Sequence, residues 1–474
     1  MTTQGSRKGR MNFSKMILCV CITFSSSAWG TVLVKWSEPA PPPASSLGVN
    51  DIVYASNIPP AVLESARKQG YRVYVETPLK ESKAASEQCA KAGCAGIILS
   101  VSESERADVD QSVNSLRSAY PKLRFLVLIR DGKQPQMRGS LVIKRDSVLE
   151  VSSPTMQPWI DTNLALVKVE QRSHPQQVPF YSFSWANEGQ HRTQTADDYL
   201  LAVAEAGAFH ADLLLQVDED LQRALIKRDG EAWALWDQVR SVLKFSNSPT
   251  EKALKPAANV AVVVDKLDAS DEVLNLLSRH NIPFQMFLAA DLKTVELQCF
   301  DIVIVFAKPD AESGERISTL ASGGRTVVVV DAHGKYPWQG SQPVQLNEHT
   351  TSYAVGKGKV LELAEPVGDP ETFAQDIRRL LGKSNALLSL WNGLTTVAVP
   401  YKDGGGTVKQ LEFVNYAGDP LRVQVQLKGM FTNIRYETPE HGCCQSLEPV
   451  KHNGSTEFVI PEVRITGRVH LETR

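Results

Sequence analysis

The chain has 474 residues, with 51 basic and 53 acidic side chains and a formal net charge of −2. That balance leaves no electrostatic footprint for nucleic acid or an anionic membrane. Apolar residues make up 42% and charged residues 22%, which excludes disorder as the main state, collagen-like repeats and a coiled coil.

Arg7, Lys8, Arg10 and Lys15 precede a short apolar run, Met16–Phe24, and the small residues Ser25–Ala28 and Gly30 follow it. The run is too short to span a bilayer, which needs about 20 residues. The pattern predicts a signal peptide over residues 1–30 and a secreted or periplasmic protein with no membrane span in its mature chain. Five cysteines would remain: Cys89, Cys94, Cys299, Cys443 and Cys444. An odd number leaves at least one thiol over. A Cys89–Cys94 bridge is conceivable, whereas the neighbours Cys443 and Cys444 are not expected to bond to each other.

Residues 31–47 read as a Pro-rich linker. From 48 to 246 short apolar strands alternate with helices. The strands fall at Asp51–Ala55, Tyr71–Val75, Cys94–Ser100, Leu123–Ile129, Ser140–Ile143 with Val148–Val151, Leu164–Val169, Pro179–Phe183 and Ala211–Val217. Gly70 and Gly93 stop helices, and Thr195-x-x-Asp198 opens the clearest one, Asp197–His210. Eight strands in this alternation predict a (β/α)8 TIM-like barrel.

After a linker, residues 257–384 repeat the strand–helix pattern at Val260–Val264, Pro283–Phe287, Asp301–Phe306 and Thr326–Val330, a doubly wound α/β domain. Over 392–474 the apolar period becomes two. In Arg422–Leu427 apolar and polar residues alternate without a break, and with Lys409–Val414 and Glu457–Ile460 this predicts an antiparallel β-sandwich. The fold class is therefore α/β multidomain.

Gly356-Lys-Gly-Lys-Val360, Val399-Pro-Tyr401 and Leu411-Glu-Phe-Val-Asn415-Tyr416, together with this domain order, resemble the three-domain beta-galactosidases of glycoside hydrolase clan A. The resemblance implies a carbohydrate-active protein whose middle domain is amidotransferase-like. That domain lacks a Gly-x-Cys-x-Gly elbow, so its expected role is structural, in a contact between subunits of a homo-oligomer. The family carries an Asn-Glu pair after strand four and a glutamate nucleophile ending strand seven. Here strand four ends Ile129-Arg130-Asp131, and Ser184-Trp185-Ala186-Asn187-Glu188 follows strand seven.

Glycoside hydrolysis needs two carboxyl groups, one to protonate the leaving oxygen and one to attack or to activate water. Barrel active sites form at the C-terminal ends of strands. Carboxylates expected there are Glu76, Asp131, Glu150, Glu188, Asp218 and Glu219. Asp131 is the expected acid/base and Glu188 the expected nucleophile. Glu76, Asp161 and Asn163 are candidates to hydrogen-bond sugar hydroxyls, and Trp159 and Trp185 to stack on a sugar ring. The sequence predicts no cofactor. The nine histidines show no His-Glu-x-x-His spacing, and His441-Gly-Cys443-Cys444 is too short for a metal site without distant ligands. The expected function is hydrolysis or binding of a saccharide at the barrel mouth. The alternative is a non-catalytic exported binding or assembly protein.

Overall fold

A computed structural model describes residues 31–473 apart from 103–104, 129–130, 139–140, 146–147, 153–158, 176, 184–193, 249–253 and 266–269. The expected signal peptide, Trp185 and Glu188 lie outside the described residues.

The first domain runs through β1 (Val32–Lys35), β2 (Asp51–Ala55), β3 (Arg72–Pro78), β4 (Gly96–Ser100), β5 (Arg124–Leu128), β6 (Asp131–Gly132), β7 (Gln136–Arg138), β8 (Leu141–Arg145), β9 (Val148–Ser152), β10 (Trp159–Asp161), β11 (Phe180–Phe183) and β12 (Asp212–Gln216). Its helices are α1 (Ala44–Leu47), α2 (Pro60–Lys68), α3 (Ser82–Ala92), α4 (Arg106–Ala119), α5 (Leu164–Ser173), α6 (Ala196–Ala208), α7 (Glu219–Ile226) and α8 (Gly230–Ser246). The parallel sheet has the order β5-β4-β3-β2-β1-β12-β11-β6. Segment 124–132 pairs with β4 through β5 and with β11 through β6, so the sheet nearly closes into a barrel. Counted around the barrel this gives seven parallel strands, with β5 and β6 sharing one position.

Three strand expectations change. Val32–Lys35, inside the stretch read as a linker, is the central strand β1, paired with both β2 and β12. Its apolar run of three residues, buried on both faces, gives no alternation to read. Leu164–Val169 is helical, the start of α5, and Leu164 through Val169 are all buried. A helix buried all round has no polar face and mimics a buried strand. Leu141–Arg145 and Val148–Ser152 form an antiparallel hairpin outside the barrel sheet. A cavity of about 570 Å3 lies between α4, β5 and the end of α5, lined by Val109, Val113, Phe125, Val127 and His174 among others.

Side chains alternate strictly across the barrel wall. Leu33, Val53, Tyr74, Ile98, Leu126, Leu128, Phe180 and Leu214 fill the interior. Val34, Ile52, Val73, Ile97, Tyr181 and Leu213 pack outward against the helices. Each fully buried apolar side chain of this kind stabilises the fold by roughly 1.5–3 kcal/mol. At the N-terminal rim Asp51 pairs with Arg72 at 2.5 Å and Asp212 with Arg124 at 2.8 Å. The predicted capping box forms, with Thr195 and Asp198 exchanging hydrogen bonds at the start of α6.

The second domain comprises β14 (Val260–Val264), α9 (Asp271–Arg279), β15 (Phe284–Leu288), α10 (Asp291–Thr294), β16 (Ile302–Val305), α11 (Ala311–Ser322), β17 (Thr326–Val329), β18 (Pro343–Asn347), β19 (Thr350–Val355), β20 (Gly358–Leu363) and α12 (Pro370–Asn385). It follows β13 (Lys255–Pro256), a short strand that joins the sandwich. Its sheet order is β15-β14-β16-β17-β20-β19-β18, parallel as far as β20 and antiparallel beyond.

The last domain is a sandwich of two sheets. Its strands are β21 (Leu388–Trp391), β22 (Thr396–Lys402), β23 (Val408–Asn415), β24 (Leu421–Lys428), β25 (Asn433–Thr438), β26 (Gly442–Leu447), β27 (Val450–His452), β28 (Ser455–Val463) and β29 (Thr466–Glu472). Val423, Val425 and Leu427 of β24 face its core, as their alternation predicts. Cys443 and Cys444 are disulfide-bonded, against expectation, while Cys89 and Cys94 are buried free thiols. A single core joins the barrel helices to the other two domains.

Candidate functional site

On five of the barrel strands, continuing the alternation past the apolar interior residue places a polar residue towards the C-terminal mouth, whereas on β2 Val53 leads to Ala55. Leu33 leads to Lys35, Tyr74 to Glu76, Ile98 to Ser100, Phe180 to Ser182 and Leu214 to Gln216. A layer of this kind is the usual location of chemistry in a parallel barrel.

Glu76 is the centre of this layer. Lys35 Nζ lies 2.8 Å from its Oε2, and Ser100 Oγ donates to its Oε1 at 2.8 Å. Both carboxylate oxygens therefore have partners, one cationic and one neutral. The Glu76 side chain keeps 17% of its surface exposed and Lys35 39%, so the pair faces the opening.

Asp131 sits in β6, its backbone in register with Ser182 of β11, so its position belongs to the mouth. Glu188 and Trp185 lie outside the described residues, and Glu150 falls in the β8–β9 hairpin. Asp218 is spent locally, accepting from the backbone N–H groups of Asp220 and Leu221 as the cap of α7. Among the side chains described here, Glu76 is the carboxylate of the interior layer at this end.

The remaining candidates lie elsewhere. Trp159 of β10 is half-buried under Arg279 of α9, whose guanidinium carbon is 5.5 Å from the ring centre. This places Trp159 in a contact between the barrel and the second domain. Asn163 is buried, and its amide donates to Lys133 O and Glu205 Oε1, both at 2.7 Å, while its carbonyl accepts from Lys133 N–H at 2.7 Å. These bonds fix the loop before α5 and leave no face for a hydroxyl. Asp161 is buried, 3% exposed, at the end of β10 in register with Gln136 of β7. Glu76 lies at the C-terminal end of β3, and Asp131 stands in register with Ser182 of β11. Lys35, Ser100, Ser182 and Gln216 were missed. The signal for them was the i, i+2 spacing from an interior apolar residue, which becomes readable only once the strand register is known.

No family model and no curated protein matches this sequence. Solved structures do match its fold. The alpha-L-fucosidase isoenzyme 2 from Paenibacillus thiaminolyticus is 11% identical, with 94% of this chain and 99% of that chain covered at a TM-score of 0.56. A catalytic mutant of a GH42 beta-galactosidase from G. stearothermophilus is 9% identical, with 94% of this chain and 99% of that chain covered at a TM-score of 0.54. The likeness to multidomain glycoside hydrolases extends over nearly the whole chain, and at these identities it is a likeness of fold.

Proposed function

We propose that this chain is an exported, glycoside-hydrolase-like protein that receives a saccharide at the C-terminal mouth of its barrel. The observation that supports this most is the Lys35–Glu76–Ser100 array, a fixed set of polar partners where a barrel of this fold class carries its ligand. In this reading Glu76 accepts hydrogen bonds from sugar hydroxyls and Lys35 donates to them. Hydrolysis would draw its proton donor from Asp131, on the rim beside Ser182, and its nucleophile from Glu188. Mono-protonated acid and ionised nucleophile are the two states that a retaining mechanism needs.

A second reading, binding without hydrolysis, is favoured by one feature. Both oxygens of Glu76 are already engaged, so this carboxylate is arranged as an orienting group rather than as a proton donor or nucleophile.

Hydrolysis of a panel of aryl glycosides and oligosaccharides separates the two. Turnover that is lost in both Glu188→Gln and Asp131→Asn supports the glycosidase. Saccharide binding without turnover supports the binding protein. Neither binding nor turnover on any glycan of the panel would overturn the proposal.

A further inference from the structure

The motif His441-Gly-Cys443-Cys444 has no metal-binding spacing of its own, and the fold supplies what it lacks. Strands β25 and β26 are antiparallel, with Tyr436 opposite Gln445 and Thr438 opposite Gly442. Between those two pairs β25 has one residue, Glu437, and β26 has two, Cys443 and Cys444. That is a β-bulge, which re-aims side chains that would otherwise point to opposite faces of the strand. Both sulfurs come to one side and are bonded to each other. One ligand atom from each of Glu437, Cys443 and Cys444 lies within 4.8 Å of the other two.

The carboxylate is held in place from behind. Arg468 Nη1 donates to Glu437 Oε1 at 3.0 Å, and His470 Nε2 lies 3.1 Å from the same oxygen. Arg468 is itself buried against Glu412 at 2.5 Å, so the orientation of Glu437 is tied to the sandwich core. Partners of this kind, which orient a ligand without touching the ion, are what a metal site requires beyond its ligands. Cys443 is exposed, so the group is reachable from solvent.

We propose that Cys443, Cys444 and Glu437 form a reduction-gated binding site for a thiophilic divalent cation of the zinc group. An external dithiol supplies two electrons and two protons to the Cys443–Cys444 bond and leaves as its own disulfide, giving two thiols. The cation then displaces both thiol protons and forms two metal–sulfur bonds, with the Glu437 carboxylate as third ligand and a fourth position open to water. Two thiolates and one carboxylate select a zinc-type ion over magnesium or calcium, which take oxygen ligands. The two thiolates, the carboxylate and the divalent ion leave one negative charge, beside the Arg468 guanidinium and the His470 ring. Reoxidation removes both thiolates and expels the ion.

The test uses the full chain, reduced with a dithiol and freed of it without oxygen, then titrated with Cd2+. The readouts are the sulfur-to-cadmium charge-transfer absorption and the ion content after dialysis, with Zn2+ as competitor. The expected result is one more ion per chain in the reduced protein than in the oxidised protein or in Cys443→Ser. Glu437→Gln should weaken binding by about tenfold or more. Cys299→Ser, at an exposed cysteine far along the chain, should bind as wild type. Equal uptake by reduced wild type and Cys443→Ser would overturn the proposal, as would no uptake by either. Because Cys443 is exposed, its replacement leaves the sandwich core intact, and an unchanged unfolding midpoint verifies that.

Discussion

The Tyr416 hydroxyl of the sandwich donates a 2.7 Å hydrogen bond to Glu205, a carboxylate on α6 of the barrel. Glu205 is 0% exposed. Its other donors are Asn163 Nδ2 at 2.7 Å, the Asn163 N–H and Thr162 Oγ1 at 3.1 Å, and the Tyr181 hydroxyl at 3.2 Å. An ionisable group this deep is tolerated only when its oxygens are saturated with donors. The network therefore joins two domains through one buried side chain.

Tyr416→Phe removes one donor and leaves Glu205 under-satisfied. The cost expected for a lost hydrogen bond to a charged or ionisable group is about 1.5–3 kcal/mol. Urea unfolding should show a lower midpoint for the variant, and an unchanged midpoint would mean that the contact is not a stabilising one.

Glu205 also predicts a pH effect with a definite sign. Burial raises its pKa, against the opposing effect of the hydrogen bonds from Tyr416, Asn163 and Thr162. The folded state thus holds this proton more tightly than the unfolded chain. Its contribution to stability is complete below the ordinary glutamate value of about 4.3 and is lost as pH rises through the raised folded value. Glu205→Gln, which does not titrate, should show a flatter decline over that interval. Parallel wild-type and variant curves would contradict the assignment.

His280 works in the opposite direction. Burial first, and then the charges of Arg279 and Arg378, push its imidazole down to about 4. Its Nε2 lies 2.8 Å from Glu371 Oε1, and the neutral ring donates there. The folded pKa is below the unfolded one, so the stability contribution is present above about 6.5 and is lost as pH falls towards the folded value. In His280→Gln the loss of stability between those pH values should be smaller than in wild type, as read from urea midpoints at either end of the window.

Gly96 opens β4 where neighbouring strands crowd it. A Cβ there would stand 2.1 Å from the Arg124 carbonyl oxygen and 2.8 Å from Tyr74 Cε1. Gly96→Ala should cost at least the roughly 1–3 kcal/mol of an overpacked core position. Gly230→Ala, at a position with nothing within 4 Å, is the matched control and should leave the midpoint nearly unchanged. Similar midpoints for both variants would contradict this packing.

Much of this architecture was legible from periodicity. Val260–Val264 and Asp301–Phe306 read as strands of a doubly wound sheet, and the alternation of Arg422–Leu427 read as one face of a sandwich, and all three segments are strands. Legibility failed where burial erased the pattern. The first six residues of α5, Leu164–Val169, are all buried between the barrel and the second domain, where even Lys168 donates to Phe284 O at 2.7 Å. β1 is too short to show a period. The site was legible only in part, for a related reason. Glu76 could be found as an acid ending a strand, whereas its partners Lys35 and Ser100 are set by barrel register. Tyr416 and Glu205 are separated by 211 residues, and Glu437 meets the cysteines only through a bulge. No local spacing encodes such contacts.

The most direct test of the barrel-mouth assignment is oligosaccharide binding by wild type and Glu76→Gln, with Lys35→Met alongside, measured by calorimetry on the same glycan panel. Wild type is expected to bind, and each variant to lose about tenfold or more, since a lost hydrogen bond to a charged group costs about 1.5–3 kcal/mol, with unfolding midpoints little changed. Saccharide binding of equal strength in all three proteins would place the ligand elsewhere and contradict the account.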